Sequence, residues 1–247
     1  MDTTAGTLLG GKVSYVQPAA GYRTGLEPVL LAAAIPASPG ERVLEAGLGA
    51  GAGLLCLGAR VPGLSAVGVE LDPAMAELAR ANFVGNGFSD WLVTTADITA
   101  LQMPGRFDHA YANPPWHDAA GTPSPNAGRL LAKQAQGAGL EAWTAALAHT
   151  LRAGGSLTLI LPAAATSRGL AALLAAGCGA LTLVPLWPKP SRPARLVILQ
   201  AIRDRRGPDR ILPGLVLHHD DGSFTASADG ILRHGCGLPT RAGRGRC

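Results

Sequence analysis

Residues 111–118 read Tyr-Ala-Asn-Pro-Pro-Trp-His-Asp and follow an apolar run. Asn113, Pro114, Pro115 and Trp116 are suited to gripping a planar amine. The lone pair of an exocyclic amine such as adenine's is delocalised into its ring, so the nitrogen is a poor nucleophile. The Asn113 side-chain oxygen and the Pro114 carbonyl can each accept one N–H of that amine, which favours a pyramidal nitrogen and aims its lone pair. Proline fixes its own φ and restricts the residue before it, so the turn is rigid before reaction. Trp116 offers a face on which a base can stack, worth ~1–3 kcal/mol at single-stranded nucleic-acid sites. No strong general base is required, because the product amine is cationic and sheds its proton to solvent. Catalysis would rest on proximity and orientation.

A second constellation stands earlier in the chain. Glu45 precedes Gly47, Gly49, Gly51 and Gly53, between a strand-like run and a helix-like one. Glycines belong where backbone turns sharply and a ligand approaches closely. Glu70 ends the next apolar run, placed to accept from both hydroxyls of a ribose. Asp97 ends the third and can accept from an adenine amine, or cap a helix. Leu71 and Ile98 follow these carboxylates and join them as cofactor-binding positions, with Asn113 at the border. Two ligand classes fit, a dinucleotide or S-adenosylmethionine. The Glu45 carboxylate would repel a pyrophosphate, whereas it can help position a cationic sulfonium with an amino-acid tail.

Apolar runs must alternate with helices to place these residues. "RVLEA", "LSAVGVE", "WLVTTAD", "FDHAYA" and "SLTLILP" read as strands. "PAMAELARANFVGNG" reads as a helix opened by Pro73 and stopped at Gly85 or Gly87, and "LEAWTAALAHTLRAGG" as an amphipathic helix closed by Gly154 and Gly155. "RGLAALLAAGC" is a further helix. "LTLVPLWP" and "ARLVILQAIR" leave no room for a helix between them and predict an antiparallel hairpin at one edge. The expected fold is α/β: a doubly wound, mostly parallel seven-stranded sheet with an antiparallel C-terminal edge hairpin. Residues 1–40 read as an extension capping the core, 41–205 as the catalytic domain, and 206–247 as an appendage with a short helix at "SADGILRHG" and a basic tail.

Composition narrows the setting. Of the 247 residues 47% are hydrophobic and 4% aromatic, so the core is expected to be aliphatic. No run of 18 apolar residues appears and the N-terminus is unlike a secretory signal, so a cytoplasmic, non-membrane protein is expected. Cys56, Cys178, Cys236 and Cys247 lack metal-ligand spacing, which predicts free thiols and no metal. Residues 1–125 hold 6 Lys/Arg against 11 Asp/Glu, while residues 126–247 hold 15 against 6. The basic half suggests a polyanionic partner. Lys189, Arg192 and Arg195, around a Pro-rich loop beside Trp187, are the expected contacts to RNA phosphate or a splayed base. Arg203, Arg205, Arg206 and Arg210 form a second cluster that can equally be a solvated surface.

The glycine loop and the Asn-Pro-Pro-aromatic turn resemble those of class I S-adenosylmethionine-dependent methyltransferases that modify planar amines. "GGKVSYVQPAAGYRTGLEPVLLAAAIP", "ARLVILQAIRDRRGP" and "PGLVLHHDDGSFTASADGILRHG" resemble the bacterial tRNA(Val) adenine-N6 methyltransferase family. That resemblance covers the chain to about residue 238. It implies the Rossmann-like methyltransferase fold, S-adenosyl-L-methionine as cofactor and a tRNA anticodon-loop adenine as target. It places Glu45, Gly47, Gly49 and Gly51 at the cofactor's amino-acid end, Glu70 at the ribose, Asp97 at the adenine, and Asn113 through Trp116 at the target amine. The family's Thr-Asp pair before its N-terminal helix is Leu26-Glu27 here, so Glu27 keeps only the charge. Other readings stay open: a methyltransferase for another planar amine (rRNA guanine, protein glutamine or a small molecule), or a catalytically silent RNA-binding module of the same fold.

Overall fold

The computed structural model describes residues 1–20, 24–114 and 139–240. The apolar runs form strands β3 (Arg42–Ala46), β4 (Ser65–Glu70), β5 (Leu92–Thr95), β6 (Phe107–Ala112), β7 (Leu151–Pro162), β8 (Cys178–Trp187) and β9 (Leu196–Arg203). They join in the order β8-β9-β7-β6-β3-β4-β5. The pairs from β7 through β5 are parallel, while β9 is antiparallel to both β7 and β8. These are the seven expected strands. Two short strands, β10 (Arg210–Ile211) and β11 (Leu215–Val216), pair with the outer side of β8. The hairpin's outer strand is therefore partly covered, which removes an exposed pairing edge.

Helices cover both faces. On one lie α1 (Glu27–Ala34), α2 (Ala52–Arg60), α3 (Pro73–Gly85) and the C-terminal α6 (Ala226–His234); on the other lie α4 (Leu140–Thr150) and α5 (Thr166–Ala175). Asp72 caps α3 by accepting from the Ala74 amide at 2.8 Å, and Pro73 opens it. Arg60, in the last turn of α2, donates to the carbonyls of Ala32 and Ile35 at the end of α1, at 2.9 and 2.6 Å. The expected helix running on to Gly154 stops at Thr150, because Leu151 already pairs with Phe107. Gly154 and Gly155 lie where the register of that pairing slips: Gly154 has φ 77°, and a side chain on Gly155 would meet the Arg152 and Asp108 carbonyls at 3.0 Å. They belong to a strand irregularity, not a helix stop.

The N-terminal residues form a hairpin, β1 (Thr3–Leu8) with β2 (Val13–Pro18), laid against α3. The C-terminal segment returns to this hairpin and to α1: Lys12 Nζ donates to the His234 carbonyl at 2.8 Å, Leu238 N to Ala33 O at 2.7 Å, and Thr240 Oγ1 to Ala34 O at 3.2 Å. Residues 206–240 are thus built into the same core as α1 and α2. Cys56 and Cys178 are free and buried, but Cys236 is disulfide-bonded, which corrects the expectation of free thiols throughout. Cys247 lies outside the described residues. Among those residues no helix is long and apolar enough to cross a membrane, and no His/Cys/Asp/Glu group is placed to hold a metal ion.

Candidate active site

Strands β6, β3, β4 and β5 are neighbours running in one direction. Ala112 pairs with Ala46, Ala46 with Val69, and Glu70 with Thr95. Asn113, Gly47, Glu70 and Asp97 therefore stand at four adjacent strand ends on one edge, a row about 14 Å wide at ~4.8 Å per strand. α2 and α3 leave this edge toward one face and α4 lies on the other, so the β3/β6 boundary is where the connections diverge. Open α/β sheets bind ligands at that crevice.

The glycine loop is fixed from below. The amides of Gly47 and Leu48 donate to the Val69 carbonyl at 2.9 and 3.1 Å. Gly51 caps α2 at φ 91°, and a Cβ there would meet the Phe83 ring at 2.7 Å, so both backbone and packing demand glycine. The Glu70 carboxylate accepts from Gly49 N at 2.7 Å and Asp72 N at 2.9 Å, which holds it upright at the mouth. Asp97 caps a short 3-10 turn, accepting from the Thr99 amide and hydroxyl, both at 2.8 Å, through Oδ1. Leu71 is half-buried and Ile98 packs into the core.

Glu45 turns inward, behind the loop. It is 5% exposed and accepts from the Leu54 amide at 2.8 Å and the Tyr111 hydroxyl at 3.4 Å. Burial pushes its carboxyl up to about 8, against the lowering effect of those two donors. A side chain on Gly53 would sit 2.2 Å from its Oε1, so Gly53 is the notch that admits the carboxylate beneath α2. Asn113 is half-buried and Pro114 buried at the end of β6. Pro115 and Trp116 lie outside the described residues. Glu27 opens α1 in its first turn.

Two further residues shape the loop without an obvious sequence signal. Asn82, inside α3, donates to the Ala50 carbonyl at 2.9 Å and exchanges two hydrogen bonds with the backbone of Val16, at 3.0 and 2.8 Å. The Trp143 ring, from α4, would lie 3.2 Å from a Cβ on Gly47 and so walls the loop from the other face. Lys189 and Arg192 line a groove at the tip of the β8–β9 hairpin, on the same sheet edge, while Arg195 is exposed at its base. The second basic cluster lies toward the opposite edge. There Arg203 pairs with Asp204 and bonds Ala176 O, and Arg210 bonds Thr182 and Thr240.

Residues 43–136 match a family model described as a methyltransferase domain. Residues 43–136 are thus similar to methyltransferase domains. A protein of Porphyromonas gingivalis named tRNA1(Val) (adenine(37)-N6)-methyltransferase is 31% identical over 156 residues, 59% of this chain and 61% of that protein. The chain thus spans about three fifths of that relative. A protein of Aeromonas hydrophila with the same name is 26% identical over 205 residues, covering 82% and 85% of the two chains. The crystal structure of a predicted O-methyltransferase from Agrobacterium tumefaciens superposes with TM-score 0.70 at 23% identity, over 87% of this chain and 99% of that one. A geranyl diphosphate C-methyltransferase from Streptomyces coelicolor, solved with S-adenosyl-L-homocysteine, gives 0.53 at 14% identity, over 72% and 78%. The side chains at this sheet edge suit such a cofactor. The carboxylates of Glu70 and Asp97 stand at adjacent strand ends, which favours hydroxyls and positive charge and disfavours phosphate.

Proposed function

We propose that the protein transfers a methyl group from S-adenosyl-L-methionine to the exocyclic amine of an unstacked adenine in RNA, a tRNA anticodon-loop adenine above all. The observation that carries this reading is the row of four adjacent strand ends, with Asn113 one strand from the glycine loop. The cofactor supplies a methyl group already activated by the sulfonium. Every other contribution is the chain's own. Glu70 accepts from the ribose hydroxyls, and Asp97 accepts from the cofactor's adenine amine through the oxygen not engaged by Thr99. The glycines, having no side chains, leave room for the amino-acid tail against the loop backbone, and Glu45 steadies the loop from behind. The Asn113 side-chain oxygen and the Pro114 carbonyl take the two N–H groups of the target amine and hold its lone pair toward the methyl. Pro115 fixes the turn and Trp116 stacks on the base. The amine's surplus proton leaves to solvent.

The relatives' names support tRNA as the substrate, as does the excess of Lys and Arg in the second half of the chain. A target in a loop is the least costly to present, since a base must leave its stack to reach such a turn. Mass mapping of modified nucleosides in total tRNA, from a strain lacking the gene and from its parent, tests the assignment. Loss of one N6-methyladenosine is expected. Unchanged methyladenosine in the deletion strain would reject tRNA adenine and leave another planar amine as the target.

A further inference from the structure

Residues between β8 and β9 shape an open groove of about 500 Å³, lined by Trp187, Lys189, Pro190, Arg192 and Pro193, with Val216 of β11 beside Trp187. The volume lies within the ~300–1,000 Å³ typical of small-ligand sites. Its walls are braced. The Trp187 indole N–H donates to Pro213 O at 3.2 Å, Lys189 Nζ to Asp220 O at 2.8 Å, and the His218 ring bonds Pro188 O at 3.1 Å. Two cations, one aromatic and two prolines meet there, and among the described residues no carboxylate side chain lines the groove. Such a lining suits a planar base joined to a phosphate.

Register places the groove relative to the reacting turn. Ala112, the last residue of β6, pairs with Leu159, whereas the hairpin closes level with Pro162, which pairs with Leu196. β7 thus runs three residues further, so the hairpin tip stands about 10 Å above the end of β6 and ~10–15 Å to its side. That is too far for the target nucleotide and within reach of a nearby one on the same strand.

We propose that this groove holds a nucleotide flanking the target, its base against Trp187 and the prolines and its phosphate on Arg192. This subsite rests on the reading of RNA as substrate. Single-strand sites commonly combine cations with a stacking face, which tolerates any base. The brace from β11 and residues 213–220 gives the C-terminal segment a part in substrate binding: it keeps the groove open and oriented before RNA arrives.

The test is fluorescence anisotropy of the full-length protein with a labelled anticodon stem-loop RNA across a salt series, and calorimetry with S-adenosylmethionine. Arg192 is exposed, so Arg192→Glu is expected to fold, to weaken RNA binding about tenfold and to flatten the log–log salt dependence by about one unit or more. Trp187→Leu should weaken RNA binding, and Trp187→Phe should restore most of it. Cofactor affinity should stay unchanged in all three. Wild-type RNA affinity and salt slope in Arg192→Glu would overturn the groove, even where the stem-loop is methylated normally. RNA binding that depends on Arg192 without methyl transfer would support the groove and reject the adenine assignment instead. A wild-type protein that does not bind the stem-loop overturns both.

Discussion

Asn113 is the residue on which turnover should depend while cofactor binding does not. It stands one strand from Gly47, and the proposed mechanism assigns its side-chain amide to the target amine rather than to the glycine loop or the ribose. Asn113→Ala should lower kcat by ~10²–10⁴, since orientation of the nucleophile is most of what the turn supplies, and leave cofactor affinity within about twofold. Single-turnover methylation and calorimetry check the two halves separately, and normal methylation would remove the amine grip. Glu45 makes a different prediction. Its carboxyl is raised from 4.5 to about 8 by burial, so the folded state holds its proton more tightly than the unfolded chain. Its contribution to stability is therefore present at low pH and lost as pH rises through that window, with a ceiling on the order of 5 kcal/mol. Glu45→Gln should remove this slope, so the melting temperature of the wild type relative to the variant should fall between pH 5 and 8.5. A constant difference across that range would show that Glu45 is ionised throughout. The sequence identified Glu45 but not its direction. Val43, Leu44 and Ala46 are buried with it, and a strand covered on both faces has no polar side to orient a carboxylate.

Elements explain why the site was legible where it was. Gly47, Glu70, Asp97 and Asn113 each break an apolar run, and in a parallel sheet every such break at a C-terminal strand end falls on one edge. The contributions without a sequence signal are non-local or too short. Asn82 lies mid-helix among Ala, Arg and Phe, and nothing in that spacing announces two bonds to a hairpin 66 residues away and one to the glycine loop. β10 and β11 are two residues each, too short for any alternation, and the irregularity near Gly154 let a strand begin where periodicity still suggested helix. Asn82→Ala should strand the Val16 and Ala50 backbone groups without partners, costing on the order of 2–4 kcal/mol, and should also weaken cofactor binding by loosening the loop. Asn86 provides the control, because it ties the same hairpin through Ser14 without touching the loop. Asn86→Ala should lower the melting temperature and spare cofactor affinity. Equal loss of cofactor affinity in both variants would show that the hairpin as a whole, not the Asn82–Ala50 bond, sets the loop.

At the scale of the whole molecule, the ends of the chain close a core that its centre cannot close alone. The sequence after residue 205 reads as an appendage, because polar, Gly- and Pro-rich stretches there carry few apolar runs. The fold uses those few residues fully. Leu215, Leu217, Ala228, Ile231 and Leu238 are buried in the same cluster as Leu9, Val29, Leu31 and Cys56. The Ala33 carbonyl, in the last turn of α1, accepts from Leu238 N, and the Ala34 carbonyl from Thr240 Oγ1 as well as from Gln200 Nε2 of β9. Each larger apolar side chain contributes roughly 1.5–3 kcal/mol on burial, and a domain of this kind has only ~5–15 kcal/mol in total. A chain ended at Arg205 should therefore lose cooperative unfolding altogether, although the glycine loop, Glu70, Asp97 and Asn113 all remain. Calorimetric melting of the shortened chain beside the full one decides this. A single sharp transition within a few degrees of the full chain's would mean that residues 206–240 rest on a finished core, and that their only part is the wall they give the groove at Trp187.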